Sequence, residues 1–388
     1  MYPDLSYVFH DLLGTPRDNW LSLFKTFGFF LLCAFLTAAW LLRRELRRRE
    51  ASGQLQPTLT DRVPGKTVTP VDYVINALFG FVLGYKLPYA LAHLAEWQQD
   101  PAGVLLGTEG YWWSGILAAA GFTAYYGFLA RRQAAAPAAE RRVEVFPSDR
   151  ITPITLLAAV GGLVGAKLFA VVEYLDRFVA DPLGTLFSGD GLAIYGGLIG
   201  GFVAVGLYLR RHRIPLLPFM DAVAPALIVA YGVGRMGCQF SGDGDWGTQS
   251  GPVPAGWFLP DWLYSYRFPH NVLQRGVPIE GCTDLYCNQL VAGVYPTSVY
   301  ETLMAFAIGG ILWALRRRLT PLPGLLFALY LLLNGVERFF IEFARINDQY
   351  DVLGLSLTQA QMIAIGFVLA GLLMGGLLMR RYALPLRS

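Results

Sequence analysis

Charge is scarce in this chain of 388 residues: Asp, Glu, Lys and Arg together make up 15% of it, against the roughly 25% usual for soluble domains. Hydrophobic residues make up 54%, so most of the surface is suited to lipid rather than water. Metal-ligand spacings of the His-Glu-x-x-His or Cys-x-x-Cys kind are missing, which argues against a metal-dependent hydrolase. The glycine run at 196–201 lacks the Lys-Ser/Thr that would make it a nucleotide-binding loop. The first apolar stretch has neither a basic leader nor a small-residue cleavage site and is followed by Arg43-Arg44 and Arg47-Arg48-Arg49. It is therefore expected to stay in the chain as an anchor.

Apolar stretches long enough to span a bilayer occur at 20–42, 71–94, 111–130, 151–175, 192–209, 216–233, 295–315, 321–341 and 358–379. The expected fold is thus all-α, a polytopic membrane helix bundle of about nine transmembrane helices. Lys and Arg concentrate in alternate connections, 43–70, 131–150, 210–213, 316–318 and 380–387. Because cytoplasmic loops are the basic ones, the N-terminus is expected outside and the C-terminus inside. The net charge of +3 sums two unlike faces, and topology explains the basic runs without nucleic acid. Cys282 and Cys287 fall together in the longest outer segment, where they can stand as thiols or as a disulfide.

An internal repeat is visible. Gly84-Tyr85-Lys86-Leu87 aligns with Gly165-Ala166-Lys167-Leu168, and Asp100-Pro101-Ala102-Gly103 with Asp181-Pro182-Leu183-Gly184. The offset is a constant 81 positions, as from Gly84 to Gly165, which points to a duplicated helical hairpin, 71–132 and 152–213. The expected organisation is an N-terminal segment with the first span and linker over 1–70, the extra hairpin and its linker over 71–150, and a core over 151–388. Residues 50–69 and 132–150 read as irregular cytoplasmic linkers. The segment 236–294, with Trp246, Trp257, Phe258, Trp262, Tyr264, Tyr266 and Phe268, reads as a small extracytoplasmic head resting on the outer leaflet.

Ionisable groups within spans are costly and point to function. Here they are Lys86, Lys167, Asp221, Arg235, Glu301, Glu337, Arg338 and Glu342. With the expected topology, Arg235, Glu301, Arg338 and Glu342 converge on the outer face. Lys86 and Lys167 have snorkelling or pairing with Glu173 or Asp221 as alternatives. Arg338, Glu342 and Arg345 share a helical face at spacings of four and three. Arginine suits a phosphate because its planar guanidinium binds oxyanions with two donors and stays charged.

Four runs on that face carry a resemblance. They are Tyr195-Gly196-Gly197-Leu198-Ile199-Gly200, then Gly234-Arg235-Met236-Gly237-Cys238 with Trp246-Gly247 downstream, then Pro296-Thr297-Ser298-Val299-Tyr300-Glu301, and Arg338-Phe339-Phe340-Ile341-Glu342-Phe343-Ala344-Arg345. In this order and spacing they resemble the signature segments of the prolipoprotein diacylglyceryl transferase family, over roughly 150–380. Phe27-Gly28 adds to it, in the place of the family's Tyr-Gly.

The resemblance implies an enzyme of the bacterial cytoplasmic (inner) membrane with its active site at the extracytoplasmic face. It would take phosphatidylglycerol from the membrane lipid and attach the diacylglyceryl group to the lipobox cysteine of a prolipoprotein signal peptide, releasing glycerol phosphate. No cofactor, metal or nucleic acid is implied. Arg235, Arg338 and Tyr195 take catalytic places. Gly196, Gly197, Cys238, Ser241, Asp243, Gly247, Tyr295, Tyr300, Glu301, Glu342 and Arg345 take substrate-binding ones.

The chain departs from the pattern at several of these positions. Tyr195 and Tyr295 stand where the family has His, Cys238 and Ser241 where it has Asn, Asp243 where it has Glu, and Asn334 where it has Tyr; one residue is inserted before Trp246. With no histidine left in the motifs, a catalytically altered lipid-binding paralogue is the nearest rival. A transporter, suggested by the repeat and by the two lysines, is the next.

Overall fold

Each of the nine apolar stretches falls on a helix in the computed structural model, which describes residues 1–62, 70–99, 101–134, 141–187, 193–352 and 354–383. A short helix α1 (Leu5–Leu13) comes first, its start capped by the Asp4 carboxylate on the Ser6 amide and its end by Gly14 in the left-handed conformation. The long α2 (Thr26–Ala51) follows. Then come α3 (Pro70–Ala92), α4 (Leu94–Gln99), α5 (Pro101–Leu106) and α6 (Trp112–Ala134). Their counterparts are α7 (Ile151–Glu173), α8 (Leu175–Ala180), α9 (Pro182–Phe187) and α10 (Ile194–Arg211). The chain closes with α11 (Leu216–Ser241), α12 (Thr297–Leu315), α13 (Leu325–Ile341) and α14 (Gln359–Ala383). Five segments, Thr26–Ala51, Pro147–Glu173, Leu216–Ser241, Thr297–Leu315 and Gln359–Ala383, are long and apolar enough to cross a membrane.

The chain divides into two compact units, Gln56–Arg213 and Met1–Leu55 with Ile214–Ser388. This boundary differs from the one read in the sequence, which joined 151–213 to the C-terminal core.

In the first unit the helix bounds repeat at the same 81-position offset as the sequence: α3 ends at Ala92 and α7 at Glu173, and α4 and α5 recur as α8 and α9. Both hairpins close on glycine. A Cβ on Gly84 would collide with the Ser114 backbone, and one on Gly165 with the Gly196 carbonyl; such small-residue faces let helices pack without hydrocarbon between them. The supposed linkers are not irregular where described. β1 (Thr58–Arg62) pairs antiparallel with β2 (Arg141–Val145), from Thr58 opposite Val145 to Arg62 opposite Arg141. Their Thr-x-Thr and Val-x-Val alternation is a strand period too short to stand out along the chain. Residues 63–69 and 135–140 lie outside the described residues.

Lys86 has a structural partner set that the sequence did not suggest. Its ammonium donates to the carbonyls of Val104 (2.9 Å), Gly107 (2.5 Å) and Glu109 (2.7 Å). It therefore satisfies the end of α5 and the turn after it, rather than pairing with Glu173 or Asp221.

The second unit is built around α11, with Ala224, Ile228, Ala305, Ile308, Leu312 and Leu326 as its buried core. Asp221, fully buried, accepts from the amides of Gly324 and Phe327 at 2.8 Å each, so it caps the start of α13. At the opposite end of α11, Gly242 adopts a positive φ and its amide closes the helix on the Cys238 carbonyl. The segment between α11 and α12 folds on its own core of Trp246, Phe268 and Val294. It carries the short ribbon β3 (Val277–Pro278) with β4 (Asn288–Gln289), and Cys282 and Cys287 are joined as a disulfide. A hairpin of β5 (Gln349–Val352) and β6 (Leu355–Thr358) leads into α14.

Candidate functional site

Glu301 is the hub of the site. It lies in the second turn of α12 with its side chain fully buried, where an unpaired carboxylate would be prohibitive. Three arginines from three places in the sequence compensate it. The Nε of Arg235, from the last two turns of α11, contacts Oε2. The Nη1 of Arg345, just past α13, donates to Oε1 at 2.8 Å, and the Nη1 of Arg338 stands 3.6 Å from the same oxygen. The Tyr231 hydroxyl, one turn before Arg235, donates to Oε2 at 2.7 Å. Glu342, directly after α13, contacts two of these arginines, 3.0 Å from Arg338 Nη2 and 3.8 Å from Arg345 Nε. The i, i+4 and i, i+3 spacings read from the sequence thus do place these groups together.

A second carboxylate bridges the cluster from the loop. Asp245 accepts from Arg235 Nη1 through Oδ2 and from Arg345 Nη2 through Oδ1, the latter at 2.6 Å. Its carbonyl is fixed by the hydroxyls of Thr297 (2.9 Å) and Ser298 (3.0 Å). Burial works to raise the Asp245 carboxyl, but Arg235 and Arg345 outweigh it and hold it down at about 2. With side-chain exposures of 36% for Asp245 and 0% for Glu301 and Glu342, Asp245 is the carboxylate of the three that solvent or an incoming anion can replace.

Asp245 is a member of the cluster that the motifs do not point to. Asp243, in the place of the family's acidic residue, lies beside it and accepts the Asp245 amide at 3.2 Å. Burial, and after it the Asp245 charge, push the Asp243 carboxyl above its ordinary value. The insertion before Trp246 shifts the register of the loop, and that was the available signal.

Other expected site residues occupy supporting places. Cys238, buried and free, has its sulfur 3.5 Å from Arg235 Nη1. Ser241 is satisfied by the Gly237 carbonyl at 2.8 Å. Gly247 donates to the Tyr295 carbonyl at 2.8 Å and forms a bridge with Arg345. A Cβ there would meet the Ala344 carbonyl, so glycine lets the bridge to Arg345 form beside Glu301. Tyr295 and Tyr300 turn to the loop, bonding the Tyr264 hydroxyl and the Leu263 carbonyl.

Gly196 and Gly197 belong to the other compact unit. Both are taken up in packing α10 against α7, Gly196 on Gly165 and Phe169, and Gly197 on Gly162. Tyr195 is in the first turn of α10, and its side chain lies outside the described residues.

Cys238, Asp243 and Asp245 bring three potential ligand atoms within 4.8 Å of one another. A cation there would stand against the Arg235 guanidinium, which contacts two of the three, so the set suits hydrogen bonding better than a metal. The three guanidiniums instead offer a preorganised anion site.

Comparison with known proteins gives the same direction. The sequence profile of the prolipoprotein diacylglyceryl transferase family matches residues 101–376. The phosphatidylglycerol–prolipoprotein diacylglyceryl transferase of Corynebacterium efficiens is 33% identical over 219 residues, covering 55% of this chain and 64% of that protein. The enzyme of that name from Dehalococcoides mccartyi is 26% identical over 273 residues, covering 69% and 88%. That of Leptospira interrogans is 28% identical over 232 residues, covering 53% and 64%.

Proposed function

The chain belongs to the prolipoprotein diacylglyceryl transferase family, and from that premise we propose that it moves the diacylglyceryl group of phosphatidylglycerol onto the lipobox cysteine of a prolipoprotein signal peptide. The observation that carries this reading is the convergence of Arg235, Arg338 and Arg345 on the buried Glu301. The substrate thiolate attacks the glyceryl carbon that bears the phosphate oxygen. The C–S bond forms, the C–O bond breaks, and the oxygen keeps the electron pair as glycerol phosphate leaves.

Charge therefore gathers on the phosphate in the transition state, and fixed cations in a water-poor site stabilise it more than they stabilise the ground state. In this reading Arg235 and Arg338 hold the phosphate. Glu301 and Glu342 keep the guanidiniums aimed, and Asp245 yields its two arginine donors to the lipid. The thiol proton leaves to water or to the departing phosphate.

We place the nine long helices across the bacterial inner membrane, with the N-terminus outside and the C-terminus inside. The basic loops support this orientation. The segment after α11 would then form a head over the extracytoplasmic active site.

The test uses Arg235→Ala and Arg338→Ala. Each is expected to abolish transfer to a lipobox peptide while the purified protein still extracts and elutes as the wild type does. Wild-type turnover in both variants would remove the phosphate-holding role.

A further inference from the structure

Residues 1–25 are bound to the segment between α11 and α12 by one short ring. Cys282 and Cys287 close it with a disulfide across five positions, and consecutive residues inside it all bond the N-terminal segment. Asp284 accepts from Arg17 Nη1 at 2.7 Å, the Leu285 amide donates to Asp18 Oδ2 at 2.9 Å, and the Tyr286 amide donates to the Tyr7 hydroxyl at 3.3 Å. The Tyr286 hydroxyl accepts from Lys25 Nζ at 3.1 Å, and its ring packs edge-on against that of Tyr7. Both tyrosines are buried.

The N-terminal segment is itself tied end to end. The Leu5 amide donates to the Phe24 carbonyl at 3.0 Å and the Thr26 amide to the Pro3 carbonyl at 3.1 Å, so holding Tyr7, Arg17, Asp18 and Lys25 also holds the first residues. There the Tyr2 amide donates to the Phe240 carbonyl at 2.8 Å, in the last turn of α11. Phe240 follows Arg235 by five positions on the same helix. The ring, the N-terminal segment and the helix end that carries Arg235 thus form one continuous chain of contacts.

We propose that the Cys282–Cys287 disulfide is a redox-dependent clasp that positions the end of α11. Closed, it holds residues 1–25 in place and steadies Arg235; opened, it loosens the segment and turnover falls. Without the crosslink the ring residues regain backbone freedom, which their bonds to residues 1–25 must then offset. Opening takes two electrons and two protons from a dithiol, which leaves as its own disulfide, and yields the two thiols of Cys282 and Cys287. Both cysteines are partly exposed, and in the orientation proposed above they face the side of the membrane where disulfides persist. The effect on turnover rests on the transferase reading; the clasp itself does not.

The oxidised wild type is compared with wild type reduced by dithiothreitol, the new thiols being counted by alkylation and mass, and with the Cys282→Ser, Cys287→Ser double variant. Asp284→Ala is a second probe, since it removes the Arg17 pair and leaves the disulfide. One readout is amide hydrogen exchange over residues 1–25, with α12 as the control for general unfolding. The other is kcat and the peptide KM, measured after the reductant is removed under argon.

Reduction and the double variant are each expected to quicken exchange over 1–25 about tenfold and to lower kcat about tenfold. Exchange over α12 and the peptide KM should keep their oxidised values, and reoxidising the wild type should restore kcat. Asp284→Ala should show part of both effects with its disulfide intact. Unchanged exchange over 1–25 in the reduced wild type, with both thiols counted, overturns the clasp. Faster exchange there with kcat unchanged overturns its hold on Arg235. If the oxidised wild type makes no thioether, the transferase reading falls by itself, and exchange over 1–25 and 235–242 still decides the clasp.

Discussion

Replacing Glu301 by Gln changes one atom at the centre of the site and leaves its shape alone. The wild-type cluster is balanced: Arg235, Arg338 and Arg345 face Glu301, Asp245 and Glu342. In Glu301→Gln, three guanidiniums face two carboxylates, and the lost charge is one whose side chain is fully buried. Removing one partner of a buried ion pair typically costs about 3–5 kcal/mol, because the other charge stays buried and uncompensated. The amide can still accept from Arg345 Nη1 or Tyr231, which places the expected loss at the lower end, about 3 kcal/mol. If half of that falls on the aim of Arg235 and Arg338 in the transition state, turnover drops by at least about tenfold, at roughly 1.4 kcal/mol per decade. Thermal unfolding of the purified protein in detergent and initial rates at saturating phosphatidylglycerol measure the two effects separately. A variant with wild-type midpoint and wild-type kcat would refute the idea that Glu301 organises the arginines.

Asp245 provides a pH signature. Its carboxyl is held at about 2 in the fold against about 3.9 unfolded, so its stabilisation is fully present above pH ~4 and is lost as pH falls toward 2. The stability difference between wild type and Asp245→Asn should therefore be constant from pH 5 to 8 and close below pH 4; a difference that grows on acidification contradicts the assignment. Gly247→Ala should cut turnover strongly, because the new methyl meets the Ala344 carbonyl and displaces Arg345, at a stability cost of about 1–3 kcal/mol. Lys86→Met should raise amide hydrogen exchange over 101–109 by freeing the three carbonyls it satisfies, and unchanged exchange there would dismiss its capping role. Tyr195→Phe asks whether that hydroxyl is needed: the catalytic place given to it by resemblance predicts lost turnover, and full activity excludes it.

The helices were legible because spans and lipid leave one solution, a long apolar run with its backbone bonds satisfied internally. The repeat was legible to the residue, since insertions had not broken the offset and the ends of α3 and α7 keep it. Arg235, Glu301, Arg338, Glu342 and Arg345 could be named from motif spacing, because helical periodicity converts sequence intervals into faces. What brings them together is tertiary, and no interval in the sequence predicts that Glu301 receives three arginines.

The role of Asp245 was hidden for a related reason. It sits on a loop whose path is set by Gly242 and Gly244 at positive φ and by the hydroxyls of Thr297 and Ser298, more than fifty residues away. The strands β1 and β2 escaped notice because each is short and their partner segments lie far apart in the chain.

The most direct measurement is a mass-spectrometric assay of the purified protein with phosphatidylglycerol and a synthetic lipobox peptide, following peptide and released headgroup together. The account predicts a peptide heavier by one diacylglyceryl group on its cysteine, an equal amount of glycerol phosphate, and neither product with Arg235→Ala or with a serine peptide. Lipid bound without either product, or headgroup released with no thioether formed, would contradict it.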